Sequence, residues 1–424
     1  MKSKLCMWML TAAALVPQFA RADVPVVKND DAGLYLGGMT QALGLGQDLN
    51  DPYRNDARMF LFLKSARVRA NGNYQDFTFN AEATLGGEET VVGTTGVSLS
   101  LLDLSVNLPL RFWNKSYIKV GQFLVPYGRE RLTYEANSQF IERSTQDLGF
   151  RVGRDVGATV NLFPGPLTII AGVFTGGGRD APQRYLPENI GVPELVARVG
   201  IGDVDDDPYF LKNDLQPATT KAAFFINGLY TKDSLIGHST VLNIKFIDKS
   251  ILLDSNWNPY IAKTPFSQGQ WWQVGADAAL RTPFIGATSL SAEAEVNWAG
   301  YSNDYGVLHT AGGRAQAGIA YKPFEIALRY AVLFPDASFS SNGAQITGAK
   351  AMQEITPTAT WYINGQKLKV VADLPVLINT PVFIEQGLGG YVGIEQPDQS
   401  TVIAKGSVNR QTVVEGRVML QAGF

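Results

Sequence analysis

Apolar and polar residues alternate along much of this chain with a period of two. Thr78, Asn80, Glu82 and Thr84 are interleaved with Phe77, Phe79, Ala81, Ala83 and Leu85. Asp103, Ser105 and Asn107 alternate with Leu102, Leu104, Val106 and Leu108, and Ser291, Glu293, Glu295 and Asn297 with Leu290, Ala292, Ala294, Val296 and Trp298. Runs of this kind predict strands with one apolar and one polar face. The pattern predicts strands at 33–46, 55–70, 73–86, 97–108, 115–124, 151–163, 166–176, 219–231, 239–249, 270–281, 288–301, 311–322, 325–334, 354–363, 367–374 and 411–424, sixteen in all.

Alternation alone fits two architectures. A secreted β-sandwich buries its apolar faces between two sheets. A transmembrane antiparallel barrel turns the apolar face to lipid and the polar face to a wet lumen. The connections discriminate between them. Asn71-Gly72, Pro164-Gly165, Lys322-Pro323 and Asn364-Gly365 predict tight turns, whereas 87–96, 125–150, 177–218, 250–269, 335–353 and 375–410 are long. Short turns on one rim and long loops on the other are the mark of a bacterial barrel, and an even strand count puts both termini on the short-turn rim. The expected fold is therefore all-β, a membrane barrel of about sixteen strands over 33–424. The last strand ends on Phe424, as outer-membrane assembly signals do.

The first 22 residues change the picture of location. Lys2 and Lys4 precede an apolar run, Leu5–Val16, and Ala20-Arg21-Ala22 follows. This predicts a secretory signal over 1–22, since the run is shorter than the ~20 apolar residues of a spanning helix. Residues 23–32 are then expected to be a loose terminus. The only cysteine, Cys6, lies in the signal, which removes disulfides and thiolate metal sites from consideration. Removing Lys2, Lys4 and Arg21 from 36 basic residues against 39 acidic ones takes the formal net charge from −3 to −6. That balance gives no support for nucleic-acid binding.

Between the strands at 115–124 and 151–163, residues 125–150 suit neither strand nor a clean helix; the stretch around them reads KVGQFLVPYGRERL at 119–132, FIERS at 140–144 and RVGRDVG at 151–157. So long a connection argues against a compact soluble domain. It is expected to be the third long loop, folded into the lumen. VGQFLVPYGRERL, FIERS and RDVG together resemble the phosphate-selective porin O/P family. The resemblance implies a sixteen-stranded outer-membrane porin, usually a trimer, whose third long loop narrows the pore. The arginines here come in pairs, Arg67/Arg69 and Arg129/Arg131, rather than in the longer ladder of phosphate-specific members.

Candidate residues follow. Arg129, Arg131 and Arg143 are expected at the constriction, where guanidinium groups can hold phosphate or carboxylate. In an extended segment Arg129 and Arg131 would point the same way. Glu130, Glu135, Glu142 and Asp147 share the loop, so the arginines either filter anions or brace the loop. Arg67, Arg69, Asp103 and Lys119 early in the chain, and Arg151, Asp155, Glu293 and Glu295 later, are expected to line the lumen. The acidic run Asp203–Asp207 reads as a solvated outer loop or a divalent-cation bridge to lipopolysaccharide. His238 and His309, both expected in turns or loops, sit in no nucleophile motif, so no catalytic site, cofactor or metal is assigned. The expectation is a porin passing small hydrophilic solutes with mild anion preference. Its partners are the lipid bilayer, lipopolysaccharide and two further copies of itself. The alternatives are a non-conducting surface-binding barrel and the β-sandwich.

Overall fold

The computed structural model describes residues 24–29, 31–48, 57–87, 99–111, 115–150, 152–176, 178, 192–202, 217, 219–232, 270–303, 306–341, 344–346, 351–385, 389–391 and 407–423. The signal segment 1–22, the expected strand 239–249, the acidic run 203–207, Arg151, His238 and Phe424 lie outside them.

Sixteen antiparallel strands close into one barrel. They are β1 Ala32–Asp48, β2 Ala57–Tyr74, β3 Phe77–Gly87, β4 Ser100–Pro109, β5 Tyr117–Leu124, β6 Arg154–Leu162, β7 Leu167–Phe174 and β8 Val192–Ile201. The second half is β9 Lys221–Lys232, β10 Gln270–Pro283, β11 Thr288–Asn303, β12 Gly306–Tyr321, β13 Phe324–Ser341 and β14 Met352–Asn364, then β15 and β16. β15 is Leu368–Asp373 continued by Val376–Glu385 after Leu374-Pro375, and β16 is Ser407–Gly423. Each strand pairs with its sequence neighbour, and β16 closes the ring on β1 through pairs from Met39↔Gly423 to Asp48↔Val414. Closure removes the edges that strands of eight to eighteen residues would otherwise leave open.

The barrel is inside out relative to a soluble protein. Outward side chains are apolar and exposed, with Leu61 at 83%, Ile326 at 63% and Ile226 at 59%. Inward neighbours such as Asn227, Asp277, Glu295 and Arg329 are buried. Aromatic residues gather near both rims: Trp272 packs edge-on against Trp298 at 5.0 Å, and Phe324 stacks on Trp361 at 6.4 Å at the opposite end. Aromatic girdles of this kind sit at lipid headgroups.

Several expectations are corrected. Val192–Ile201 is a barrel strand, inside a stretch expected as a long loop. β9 pairs directly with β10 over twelve residues, from Lys221↔Arg281 to Lys232↔Gln270. The total stays at sixteen. Ile201 and Lys221, the facing ends of β8 and β9, lie on the short-turn rim. β2 continues through Asn71-Gly72 to a turn at Gln75-Asp76. Gly72 is required by packing instead: a Cβ there would lie 2.2 Å from the Gly33 carbonyl oxygen. Val24–Lys28, expected to be loose, pairs with Gly33–Leu36. It occupies the edge of β1 beyond Met39, where β16 has ended. His309 lies on β12, 6.4 Å from the rings of both Trp272 and Trp298.

Replacing Ile226 by Arg puts a cation on the lipid face of β9. The expected loss is about 2–4 kcal/mol at mid-membrane, read from the urea midpoint of folding into lipid vesicles, while Ile226→Leu leaves the midpoint nearly unchanged.

Candidate functional site

The 125–150 connection leaves β5 and returns into β6, and it is held by side chains of β1–β3 and β9–β16. Its local structure follows from glycine and short-range turns. Gly128 has φ 68, and a Cβ on it would lie 2.8 Å from Glu295 Oε1. Only glycine accepts both that φ and that approach. A one-turn helix α1, Arg129–Leu132, follows, then single 3₁₀ turns at Glu135–Asn137 and Thr145–Gly149.

The first arm docks on β9–β13. Tyr127 Oη donates to Asn297 Oδ1 at 3.0 Å, the Gly128 amide to Asn227 Oδ1 at 2.6 Å, and the Glu130 amide to Glu295 Oε2 at 2.9 Å. The middle docks on β13–β16 and β1. Lys369 Nζ donates to the Ser138 carbonyl at 2.8 Å, and Gln139 Nε2 to Glu325 Oε1 at 2.6 Å. Ile141 packs into an apolar cluster with Leu43, Val371 and Met419, and its amide donates to Asp373 Oδ2 at 3.2 Å. The return arm donates from the Thr145 amide and hydroxyl to Glu354 Oε2 at 2.6 and 3.0 Å. The two arms also bind each other. Glu130 accepts the Ser144 amide and hydroxyl at 2.8 and 2.6 Å, and Arg131 donates to Asp147.

These contacts place the expected constriction residues. Arg129 is fully buried, 3.8 Å from both Asp277 Oδ1 and Glu293 Oε2 on the wall. Arg131 is buried against Asp147 of the same loop. The two do not point the same way, because α1 is helical and residues two apart diverge by about 200°. Arg143 is the partly exposed member, 3.7 Å from Glu135 Oε1. Arg129 and Arg131 are thus enclosed by carboxylates, and Arg143 is partly exposed beside Glu135.

Among the expected lining residues, Arg67 joins Glu82 at 3.3 Å and Glu135 at 2.6 Å. Arg69 lies over the Tyr134 ring at 5.7 Å. Asp103 accepts from Arg154 Nε at 3.1 Å, and Lys119 Nζ lies 4.5 Å from the Phe123 ring centroid. Asp155 is fully buried and accepts the Thr175 hydroxyl and the Gly176 amide at 2.6 and 2.7 Å, which anchors the start of the next loop. Glu293 and Glu295 share Arg314 at 3.3 Å each, and Glu130 reaches the same guanidinium at 3.5 Å.

Sequence reasoning missed Arg198. It lies on β8, fully buried, 2.7 Å from Asp277 Oδ2 and 4.3 Å over the Phe225 ring. Its signal was the alternation of Glu194, Val196 and Arg198 with Leu195, Ala197 and Val199, set behind Pro193. It also missed Lys64, 2.8 Å from Glu142, and Glu354, which takes Arg329 Nε at 2.8 Å.

The comparisons bear on this arrangement. Residues 43–185 match the family of phosphate-selective porins O and P. That segment is about a third of the chain and contains the whole loop. No curated protein matches the sequence. Among solved structures, OmpT, an outer membrane protein of Vibrio cholerae in a trimer form, is 11% identical with a TM-score of 0.54, the match covering 93% of this chain and all of that one. The outer membrane channel DcaP of Acinetobacter baumannii is 12% identical with a TM-score of 0.52, covering 94% of this chain and 99% of that one. At such identities the likeness shows the fold. With the apolar belt, the fold is that of a closed sixteen-stranded membrane barrel.

Tyr134 and Glu135, adjacent in the loop, carry shifted acidities. Burial raises the Tyr134 phenol, helped by Glu82, to about 12, so it stays neutral. Burial would also raise Glu135, but Arg67, with Lys64, Arg143 and Arg154, outweighs it and holds the carboxyl well below the usual carboxylate range. A depressed folded value stabilises the docked loop fully above the unfolded value of about 4.3, and that stabilisation is lost as pH falls below it. Open-channel noise in planar bilayers is therefore expected to stay constant from neutral pH down to about 4.3 and to grow only below it. Replacing Arg129 and Arg131 together by Glu sets two new carboxylates beside Asp277, Glu293 and Asp147. The expected result is noisy or enlarged conductance from a loosened loop, with little change in reversal potential.

Proposed function

We propose that this chain is an outer-membrane porin through which small hydrophilic solutes, phosphate among them, diffuse passively with a mild preference for anions. It acts as a homotrimer, with lipid and lipopolysaccharide around it and no chemical step. The observation that carries the reading is the charged loop bonded across a lumen of polar side chains inside an apolar belt. A wall of this kind is of use only if water and solutes pass along it. The match to phosphate-selective porins supports an anionic solute, and the trimer form of OmpT supports the homotrimer.

Weak selectivity follows from pairing. Arg129, Arg131, Arg198, Arg314 and Arg329 each have a carboxylate within 4 Å, so their fields are largely cancelled at short range. Arg69 and Lys119 are only half-buried. In a narrow passage such charges are screened less than at a free surface and favour anions.

The test is single-channel conductance with the reversal potential measured in a salt gradient. A steady conductance with a small reversal potential on the anion side is expected. A protein that inserts and carries no current would overturn the porin reading in favour of a surface-binding barrel.

A further inference from the structure

The turns that join β2 to β3 and β4 to β5 are neighbours on the short-turn rim, since β3 and β4 pair there through Thr78↔Asn107. Each turn places a non-glycine residue in the left-handed region: Gln75 has φ 51 and Lys115 has φ 61. Among the described residues, Asn379 is the one other non-glycine residue with positive φ. Such backbone persists where its surroundings fix it, and it gathers at ligand sites. Both turns are indeed tied down. The Gln75 amide donates to the Asp31 carbonyl at 2.6 Å, and the Leu110 amide to the Ser116 carbonyl at 2.8 Å. Ser116 Oγ accepts the Phe163 amide at 3.3 Å, and the Tyr117 ring packs on Phe163 at 5.9 Å.

Between these turns lies a cavity of about 550 Å³, walled by Asp76 and Thr78 from one hairpin and by Asn107, Arg111, Lys115 and Tyr117 from the other. Sites for small molecules run from about 300 to 1,000 Å³. The lining carries both signs of charge. Arg111 Nη2 lies 3.8 Å from Asp76 Oδ2, and both side chains are largely exposed. Lys115 is exposed as well. Asn107 Nδ2 donates to Thr78 Oγ1 at 2.9 Å. Its Oδ1 is enclosed and has no hydrogen-bond partner among the described residues. An enclosed acceptor left unpaired costs free energy, which a bound donor recovers. A simple anion drawn by Arg111 and Lys115 meets Asp76, and a simple cation drawn by Asp76 meets two cations. A molecule that carries both charges close together satisfies both sides.

We infer that this cavity is a binding site for a small zwitterion, a free α-amino acid or a short peptide. Its carboxylate faces Arg111 and Lys115, and its ammonium faces Asp76, with Asn107 Oδ1 as a further acceptor. A guanidinium can hold a carboxylate through two parallel N–H donors, and an ammonium supplies three donors to the acceptor side. Every lining residue falls between Asp76 and Tyr117, so the site is separate from the 125–150 loop. The inference goes beyond the porin reading and does not rest on it, because binding is measured without current. The exposed charges are screened by solvent and salt, so binding is weak and falls as salt is added.

Saturation-transfer NMR on the full barrel in detergent tests it, with alanyl-alanine as the probe. N-acetyl-alanyl-alanine lacks the ammonium, and alanyl-alanine amide lacks the carboxylate. A saturable signal from the dipeptide is expected, with either blocked form binding about fivefold more weakly or worse. Asp76→Asn is expected to erase the preference for the dipeptide over the acetylated form. Arg111→Gln is expected to erase the preference over the amide. Lys115→Asn removes the third charge with a residue that tolerates left-handed backbone, and is expected to weaken the dipeptide about fivefold. Each variant is first checked for heat-modifiable migration. No saturable signal, equal binding of the blocked forms, phosphate binding as tightly as the dipeptide, or dipeptide binding that all three substitutions leave unchanged overturns the inference. A barrel that binds the dipeptide but carries no current in bilayers supports the inference and overturns the porin reading instead.

Discussion

Every charged side chain inside this barrel lies behind an apolar belt, and that confinement organises the rest. A buried charge is tolerated when it is paired and hydrogen-bonded, and removing one partner is costly. Arg198 and Arg129 meet over Asp277, Arg314 draws in Glu130, Glu293 and Glu295, and Arg329 is held between Glu354 and Glu130. The loop is not laid over this network as an addition. Its Glu130 and Arg129 are part of the charge balance of β10–β13. Wall and loop therefore fix one another, and the loop's position follows from electrostatics as much as from its own backbone.

The family-like motifs take on a physical meaning in this light. In VPYGRERL, Gly128 admits the chain beside Glu295, and the residues after it supply both signs of charge to the wall. In RDVG, Arg154 braces Asp103, Asp155 caps the next loop, and Gly157 leaves room for the Phe174 ring, which an added Cβ would approach to 2.4 Å. Most of the conspicuous residues hold the loop and the wall to one another.

The barrel was legible in the sequence because lipid enforces a strict alternation, and a slipped register would place charge in hydrocarbon. Strand faces at Glu82, Asp103, Glu295 and Arg417 could be read directly from it. β8 was not legible as a strand, because Pro193 and the acidic run after Ile201 look like loop chemistry. Arg198 was lost with it. The direction of Arg129 and Arg131 was not legible either. Residues two apart share a face only in extended chain, and the single helical turn at Arg129–Leu132 is fixed by contacts with Glu295 and Asn227, which are distant in sequence. Asn71-Gly72 shows the converse error: a strong turn signal arose from a glycine needed for close packing within a strand.

The central claim is that the loop is docked on the lumen wall through specific amides. Amide hydrogen exchange on the folded protein in detergent or lipid tests it most directly. The amides of Gly128, Glu130, Ile141, Ser144 and Thr145 donate to Asn227, Glu295, Asp373, Glu130 and Glu354. The account predicts that these five exchange as slowly as amides in the neighbouring wall strands. Exchange at the rate of an unprotected loop, with the strands still protected, would contradict it.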